Sequence, residues 1–379
     1  MPGQLRSLRF LPLAAFLLTA ALPAFLGGCG GGSSSGSVVP PLQPPPPATK
    51  GRYFTHIVIL IQENRTFDNL FATFPGADGT RRGKTHNGGS LLLRKADLES
   101  PVSPNNGYSY WKRDWNGGKM NGFDIVNIGK VSGTYVYQYV DPTQIAPYWD
   151  LAKQYVLSDH TFQTQGSGSF TAHQDLIRGG TSINGSQSLI DFPNDWGNPW
   201  GCDAPPGTRT SLITAKNQYM SFQGPYPCLK YSTLRDLLDA KNISWRYYTP
   251  ANGSFGGNLW NAFDSIEAVR HGSEWNTNVA TPETSIFTDI NRDTLPAVAW
   301  VIPDYQNSDH PGDNSDTGPS WIAQVVNAIG QSPAWKTTAI LVVWDDWGGW
   351  YDHVAPPGAR RYGGLGFRVP LLAVAPYAK

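Results

Sequence analysis

The sequence predicts an α/β fold built on a buried, largely parallel sheet flanked by helices, with long loop insertions. Three observations carry that expectation. Residues 54–61, 296–302, 339–343 and 369–375 are short apolar runs rich in β-branched residues, the composition of strands covered on both faces. Between such runs lie segments with apolar residues at helical spacing, among them Ile145, Tyr148, Leu151, Ala152 and Tyr155, and later Ile322, Val325, Val326 and Ile329. Two of the runs end abruptly on polar groups, Glu63-Asn64 and Asp345-Asp346. Open α/β sheets build their sites just past the carboxyl ends of strands, and alternation of strand and helix favours parallel pairing.

The 379 residues suit one large domain or two small ones, and 29 basic residues balance 29 acidic ones. No basic stretch beyond short clusters such as Arg81-Arg82 stands out, which excludes a nucleic-acid partner. Residues 1–29 read as an export signal: Arg6 and Arg9 precede an apolar stretch over 11–26 that is short and contains Pro12 and Pro23. It closes on Leu26-Gly27-Gly28-Cys29, which resembles the bacterial lipobox, with Cys29 as the lipidated residue anchoring the chain to the cell envelope. Residues 30–50 are Gly/Ser-rich and then Pro-rich, a tether that cannot bury a core. With Cys29 committed to lipid, Cys202 and Cys228 remain and are expected to pair in an oxidising compartment.

Taken in order, the first strand (54–61) delivers Glu63-Asn64-Arg65-Thr66-Phe67-Asp68, where Asn64 reads as a helix cap with Asp68 in the first turn. Residues 81–123 read as an irregular excursion, and long excursions in compact domains are usually functional or mobile. A helix is expected over 145–156. In Gln165-Gly166-Ser167-Gly168-Ser169-Phe170-Thr171-Ala172-His173, the hydroxyls of Ser169 and Thr171 precede a helix expected over 172–177. There they act as caps or meet an anion at the positive end of the dipole. Residues 185–227 read as aromatic loop, 232–240 as a helix capped by Ser232, and 243–248 as a strand. The strand 296–302 leads to Asp309-His310-Pro311, Ser320 reads as the cap of the next helix, and 369–375 is the last strand. Between them, the run 339–343 ends on Asp345-Asp346-Trp347-Gly348-Gly349. Two adjacent carboxylates at the end of a buried strand repel each other unless a cation lies between them.

These pieces resemble the bacterial phosphoesterase family that includes phosphatidylcholine-type phospholipases C and respiratory-burst-inhibiting acid phosphatases, within the alkaline-phosphatase-like group. The resemblance covers residues 53–379 and rests on Glu63-Asn64-Arg65-Thr66-Phe67-Asp68, Trp115-Asn116-Gly117-Gly118-Lys119-Met120, Asp309-His310-Pro311 and Asp345-Asp346-Trp347-Gly348-Gly349-Trp350-Tyr351-Asp352-His353. It implies that residues 51–379 form a catalytic domain, either C-terminally truncated or lacking the family's final helix. It implies one divalent metal ion on Glu63, Asn64, Asp345 and Asp346, and a hydroxyl nucleophile at Ser169, with Thr171 as competitor because the flanking prolines and asparagine of the family stretch are absent. His310 and His353 match phosphate-contacting histidines. A further family histidine falls on Asn106, which donates a hydrogen bond but cannot transfer a proton. The activity implied is hydrolysis of a phosphate ester, with phospholipid among the substrates. An acid-phosphatase-like monoesterase and a non-catalytic surface protein on the same fold are the alternatives.

Overall fold

The computed structural model describes residues 53–125, 131–312, 315–358 and 361–378. The expected export signal, Cys29 and the tether to Lys50 lie outside the described residues.

The inner strands are apolar on both faces, so they can only be buried between two layers. Among the described residues, a seven-stranded sheet runs in the order Val279–Ala280, Trp245–Tyr248, Val298–Val301, His56–Gln62, Thr338–Trp344, Leu371–Val374 and Val156–Ser158. The first five are mutually parallel. The last two pair antiparallel, so the run expected over 369–375 turns the sheet's direction at one side.

Alternation along the strands divides the core. Val58 and Leu60, with Ile340, Val342 and Trp344, pack against the helices Ala146–Gln154 and Gly318–Gly330. Ile61 and Trp300 face the other way, onto Phe170 and Ile177 of the helix Ser169–Arg178. Each fully buried aliphatic or aromatic side chain of this kind is worth about 1.5–3 kcal/mol. A third, mainly aromatic cluster around Trp111, Phe123, Trp347, Trp350, Tyr351 and Phe367 fixes the loops around the site.

Several local expectations change. Residues 185–227 are not simply loop: Gln187–Ile190, Ser211–Thr214 and Tyr219–Met220 join Ser182–Asn184 in a four-stranded antiparallel sheet. Strands of two to four residues are too short to show an alternation pattern. The excursion over 81–123 contains the strands Arg82–Lys84, Ser90–Leu92 and Arg94–Ala96 and the helix Tyr108–Trp115. Thr66, not Asn64, caps the first helix, its side chain accepting from Asn69 N at 3.1 Å. Thr233, not Ser232, caps Leu234–Asp239 in a capping box with Asp236. Ser320 lies inside the helix Gly318–Gly330, which Pro319 starts earlier because its missing N–H costs nothing in the first turn. Cys202 and Cys228 form the expected disulfide.

Candidate active site

Strand register creates the site. Gln62 sits opposite Trp344 in the parallel pair, and Asp345 N donates to Gln62 O at 2.9 Å, extending the ladder by one bond. Glu63-Asn64 and Asp345-Asp346 therefore leave the sheet side by side. Asn64 takes a left-handed backbone (φ 58°), a strain of order 1–3 kcal/mol that persists only when its surroundings hold it. Its N–H donates to Asp345 Oδ1 at 2.9 Å and its Nδ2 to Asp346 Oδ1 at 3.2 Å. Gly348 is required beside it: at φ +61° a Cβ would lie 2.0 Å from the Asn64 carbonyl oxygen.

The third contributor is the helix Ser169–Arg178, which begins at Ser169, earlier than its apolar spacing suggests. Residues four apart share a helix face, so Ser169 and His173 point the same way. Ser169 Oγ donates to Asp346 Oδ2 at 2.9 Å. His173 Nε2 lies 2.8 Å from Glu63 Oε1 and 3.7 Å from Asp345 Oδ2. Sequence reasoning assigned His173 no role, although its spacing from Ser169 on one helix was the available signal. Thr171 is buried and turned elsewhere, donating to Ser167 Oγ at 2.6 Å.

The electrostatics are those of a site short of positive charge. Glu63, Asp345 and Asp346 are 0, 4 and 0% exposed. Burial, then Asp345 and Asp346, hold the Glu63 carboxyl well above its usual range. Burial and then Asp345 do the same to Asp346. Among the described residues no Lys or Arg forms an ion pair with any of the three. The one basic neighbour in ion-pair reach among the described residues is His173, which burial pushes down to about 4 and so holds neutral. Glu63 Oε2, Asn64 Oδ1 and Asp345 Oδ2 are buried without a hydrogen-bond partner, although buried polar atoms are nearly always paired. Ligand atoms of Glu63, His173 and Asp345 all lie within 4.8 Å of one another. Unpaired oxygens around an uncompensated negative charge fit a divalent cation. Asp346 differs from its neighbour: its oxygens accept from Ser169, Asn64, Asn106 and Gly348 N.

Above this group opens a cavity of about 810 Å³ whose lining includes Ser169, Asn106 and His310, with Phe255, Trp260 and Tyr305 as aromatic wall. Its described lining contains Asp191 and neither Lys nor Arg. Asn106 Nδ2 donates to both Asp346 oxygens, at 3.0 and 2.9 Å. His310 Nδ1 lies 2.7 Å from the Pro311 carbonyl, which only accepts, so Nδ1 carries the proton and Nε2 is left as an acceptor. Burial lowers the His310 pKa to about 4.

The structure does not bring His353 to this group. Its Nδ1 is 2.7 Å from Asp68 Oδ2 and its Nε2 is 3.2 Å from Asp78 Oδ1. The cause is local: Thr66 Oγ1 donates to Tyr351 O, drawing the chain after the glycines back to the first helix, where Asp68 holds it.

The phosphoesterase family model matches residues 54–379. The chain is 25% identical to phospholipase C B of Mycobacterium tuberculosis over 383 residues, covering 86% of this chain and 68% of that protein. It is 26% identical to the non-hemolytic phospholipase C of Burkholderia pseudomallei, covering 86% of this chain but 52% of the relative, so it spans about half that protein's length. Similarity extends to the non-specific phospholipase C3 of Arabidopsis thaliana, at 25% identity over 85% of this chain and 63% of that one. The mostly parallel sheet flanked by helices is the architecture of an alkaline-phosphatase-like fold. The chain belongs to the phosphoesterase family and is a hydrolase acting on phosphate esters.

Proposed function

We propose that the chain cleaves phosphodiesters in the manner of a phospholipase C, with Ser169 as nucleophile and one divalent ion held by Glu63, Asn64 and Asp345, bordered by Asp346. The observation that carries the reading is the Ser169 Oγ to Asp346 Oδ2 hydrogen bond of 2.9 Å, with Ser169 lining the cavity. Asp346 accepts the Ser169 proton as Oγ bonds to phosphorus, and the phosphorus–oxygen bond to the alcohol breaks. The departing alkoxide takes a proton from solvent. Water then attacks phosphorus and gives its proton to His310 Nε2, which returns it to the solvent that protonated the alkoxide. The bond to Ser169 breaks, and Oγ recovers its proton from Asp346. A bound divalent ion supplies charge neutralisation for the phosphate oxygens and acidifies a hydroxyl nearby. The N–H groups opening the helix Ser169–Arg178 favour the same anion. A described cavity wall with Asp191 and neither Lys nor Arg suits the single charge of a diester better than the two charges of a monoester.

The test is a panel of phosphodiesters, phospholipids and phosphomonoesters against wild type, Ser169→Ala and Thr171→Val, with intact-mass detection of a phosphoserine adduct. Ser169→Ala should abolish turnover and the adduct, while Thr171→Val should retain both. Activity of Ser169→Ala at the wild-type rate sinks the covalent reading, and a preference for monoesters sinks the diester assignment. Access to phospholipid is part of the same proposal, through a lipid on Cys29. Cys29→Ser should then move the protein from the membrane fraction to the soluble one.

A further inference from the structure

We infer that His173 is a ligand of the ion, and that the ion is therefore a first-row transition metal of the zinc or iron(II) type rather than magnesium or calcium. This rests on the divalent-ion site proposed above and adds to it the donor that decides which ion is kept.

His173 Nε2 reaches toward two carboxylates at once, 2.8 Å from Glu63 Oε1 and 3.7 Å from Asp345 Oδ2. Ligands sharing one ion at bond lengths near 2.0–2.2 Å stand roughly 3–3.5 Å apart, so these distances need little adjustment. The imidazole alone does not complete the group: Glu63 Oε2 has no hydrogen-bond partner, and neither has Asp345 Oδ2, from which His173 Nε2 stands off at 3.7 Å. Asn64 Oδ1, on a side chain 2% exposed, is unpaired as well. A histidine serving only to orient Glu63 would leave all three oxygens stranded. A shared cation satisfies them together.

His173 is also placed by design of the helix rather than by a loop. It lies one turn after Ser169, with Trp260 stacked near its ring (centroids 6.4 Å apart, planes 17° from parallel). The imidazole is therefore sandwiched between an aromatic wall of the cavity and the strand ends. An all-oxygen set of carboxylates and an amide suits hard ions such as Mg²⁺ and Ca²⁺, whereas an imidazole nitrogen moves preference toward Zn²⁺ and its neighbours.

The experiment dialyses full-length wild type and His173→Asn against an equimolar mixture of Mg²⁺, Ca²⁺, Zn²⁺ and Fe²⁺ under anaerobic conditions. Bound metal is then measured by mass spectrometry. X-ray absorption at the edge of the retained transition metal reports imidazole scattering in the wild type itself, so the inference stands or falls even where the variant does not fold. The expected result is one zinc or iron ion per wild-type chain with an imidazole signature, and at least a tenfold shift toward Mg²⁺ or Ca²⁺ in His173→Asn. An ion bound without imidazole scattering, or with unchanged discrimination in the variant, overturns the His173 assignment and leaves the metal site standing. A wild type that binds none of the four ions overturns the metal site itself.

Discussion

Two clusters of buried carboxylates stand among the described residues, and they differ in how their charge is matched. Asp68 and Asp352 are both 0% exposed, like Glu63 and Asp346, and with His353 they too bring ligand atoms within 4.8 Å of one another. There the chain supplies its own cation. Arg368 Nε donates to Asp352 Oδ1 at 2.9 Å, and Nη2 reaches Asp352 Oδ2 and Asp68 Oδ1 at 3.2 and 3.3 Å. Backbone N–H groups of Thr80, Asp68, His353 and Val354 occupy the remaining directions. Among the described residues no guanidinium or ammonium arrives at the strand ends, and three oxygens have no hydrogen-bond partner. Proximity of acids is thus no sign of a metal site. The sign is proximity together with a charge that the chain leaves unmatched.

The largest expected effect comes from breaking the unmatched cluster. Asp345→Asn should lose the ion and lower hydrolysis on the order of 10³-fold, since a catalytic ion supplies several kcal/mol. Metal analysis and initial rates check this. Under chelation, thermal unfolding should show Asp345→Asn at least as stable as wild type, because a repelling charge has gone. A chelated variant markedly less stable than chelated wild type would mean that this cluster, like the other, serves folding.

Arg368→Met attacks the matched cluster. Removing one partner of a buried ion network costs about 3–5 kcal/mol, read from urea unfolding. Metal content per folded chain should stay at the wild-type value, and its loss would show that the two clusters are not independent.

Asn106→Ala tests the boundary between chemistry and scaffold. It strips a donor from both Asp346 oxygens, and hydrogen bonds to charged groups are worth about 1.5–3 kcal/mol, so kcat should fall roughly 10–100-fold. Metal content should not change. A rise in KM alone would place Asn106 on the substrate instead.

The smallest effect is a pH dependence. Burial pulls the His353 imidazole down, but Asp68, with Asp352 behind it, outweighs this and raises its pKa above 6.5. A raised histidine pKa stabilises the fold fully below the unfolded value, and the contribution disappears as pH rises through the folded one. The stability difference between wild type and His353→Gln should therefore be greatest on the acid side of 6.5 and shrink on the alkaline side. A difference that grows with pH would contradict the assignment.

The sequence disclosed most where physics is local. Strongly apolar runs marked the inner strands, and carboxylates just past two of them marked the candidate site, because two adjacent acids at the end of a buried strand repel each other. What it concealed depends on contacts distant along the chain. Arg65 and Asp68 stand in the same motif as Glu63, yet Arg65 is scaffold, its Nε donating to Asp309 O at 2.8 Å and its Nη2 to Leu98 O at 2.6 Å. His353 follows two motif aspartates but belongs to Asp68. His173 carried no motif at all. Its place beside Glu63 and Asp345 appears only when the helix of Ser169 is laid against the strand ends. The sequence likewise did not show that Thr171 donates to Ser167 Oγ while Ser169 faces Asp346.

One feature of the cavity bears on how such a protein changes over generations. Glu63, Asp345 and Asp346 sit at strand ends and Ser169 and His173 on one helix, but the cavity wall comes from separate surface segments around Pro104, Phe192, Phe222, Phe255 and Tyr305. Loops tolerate substitution and insertion far better than the elements they join. On the proposed function, drift in those segments would exchange one alcohol moiety for another while the strand ends and the helix stay as they are.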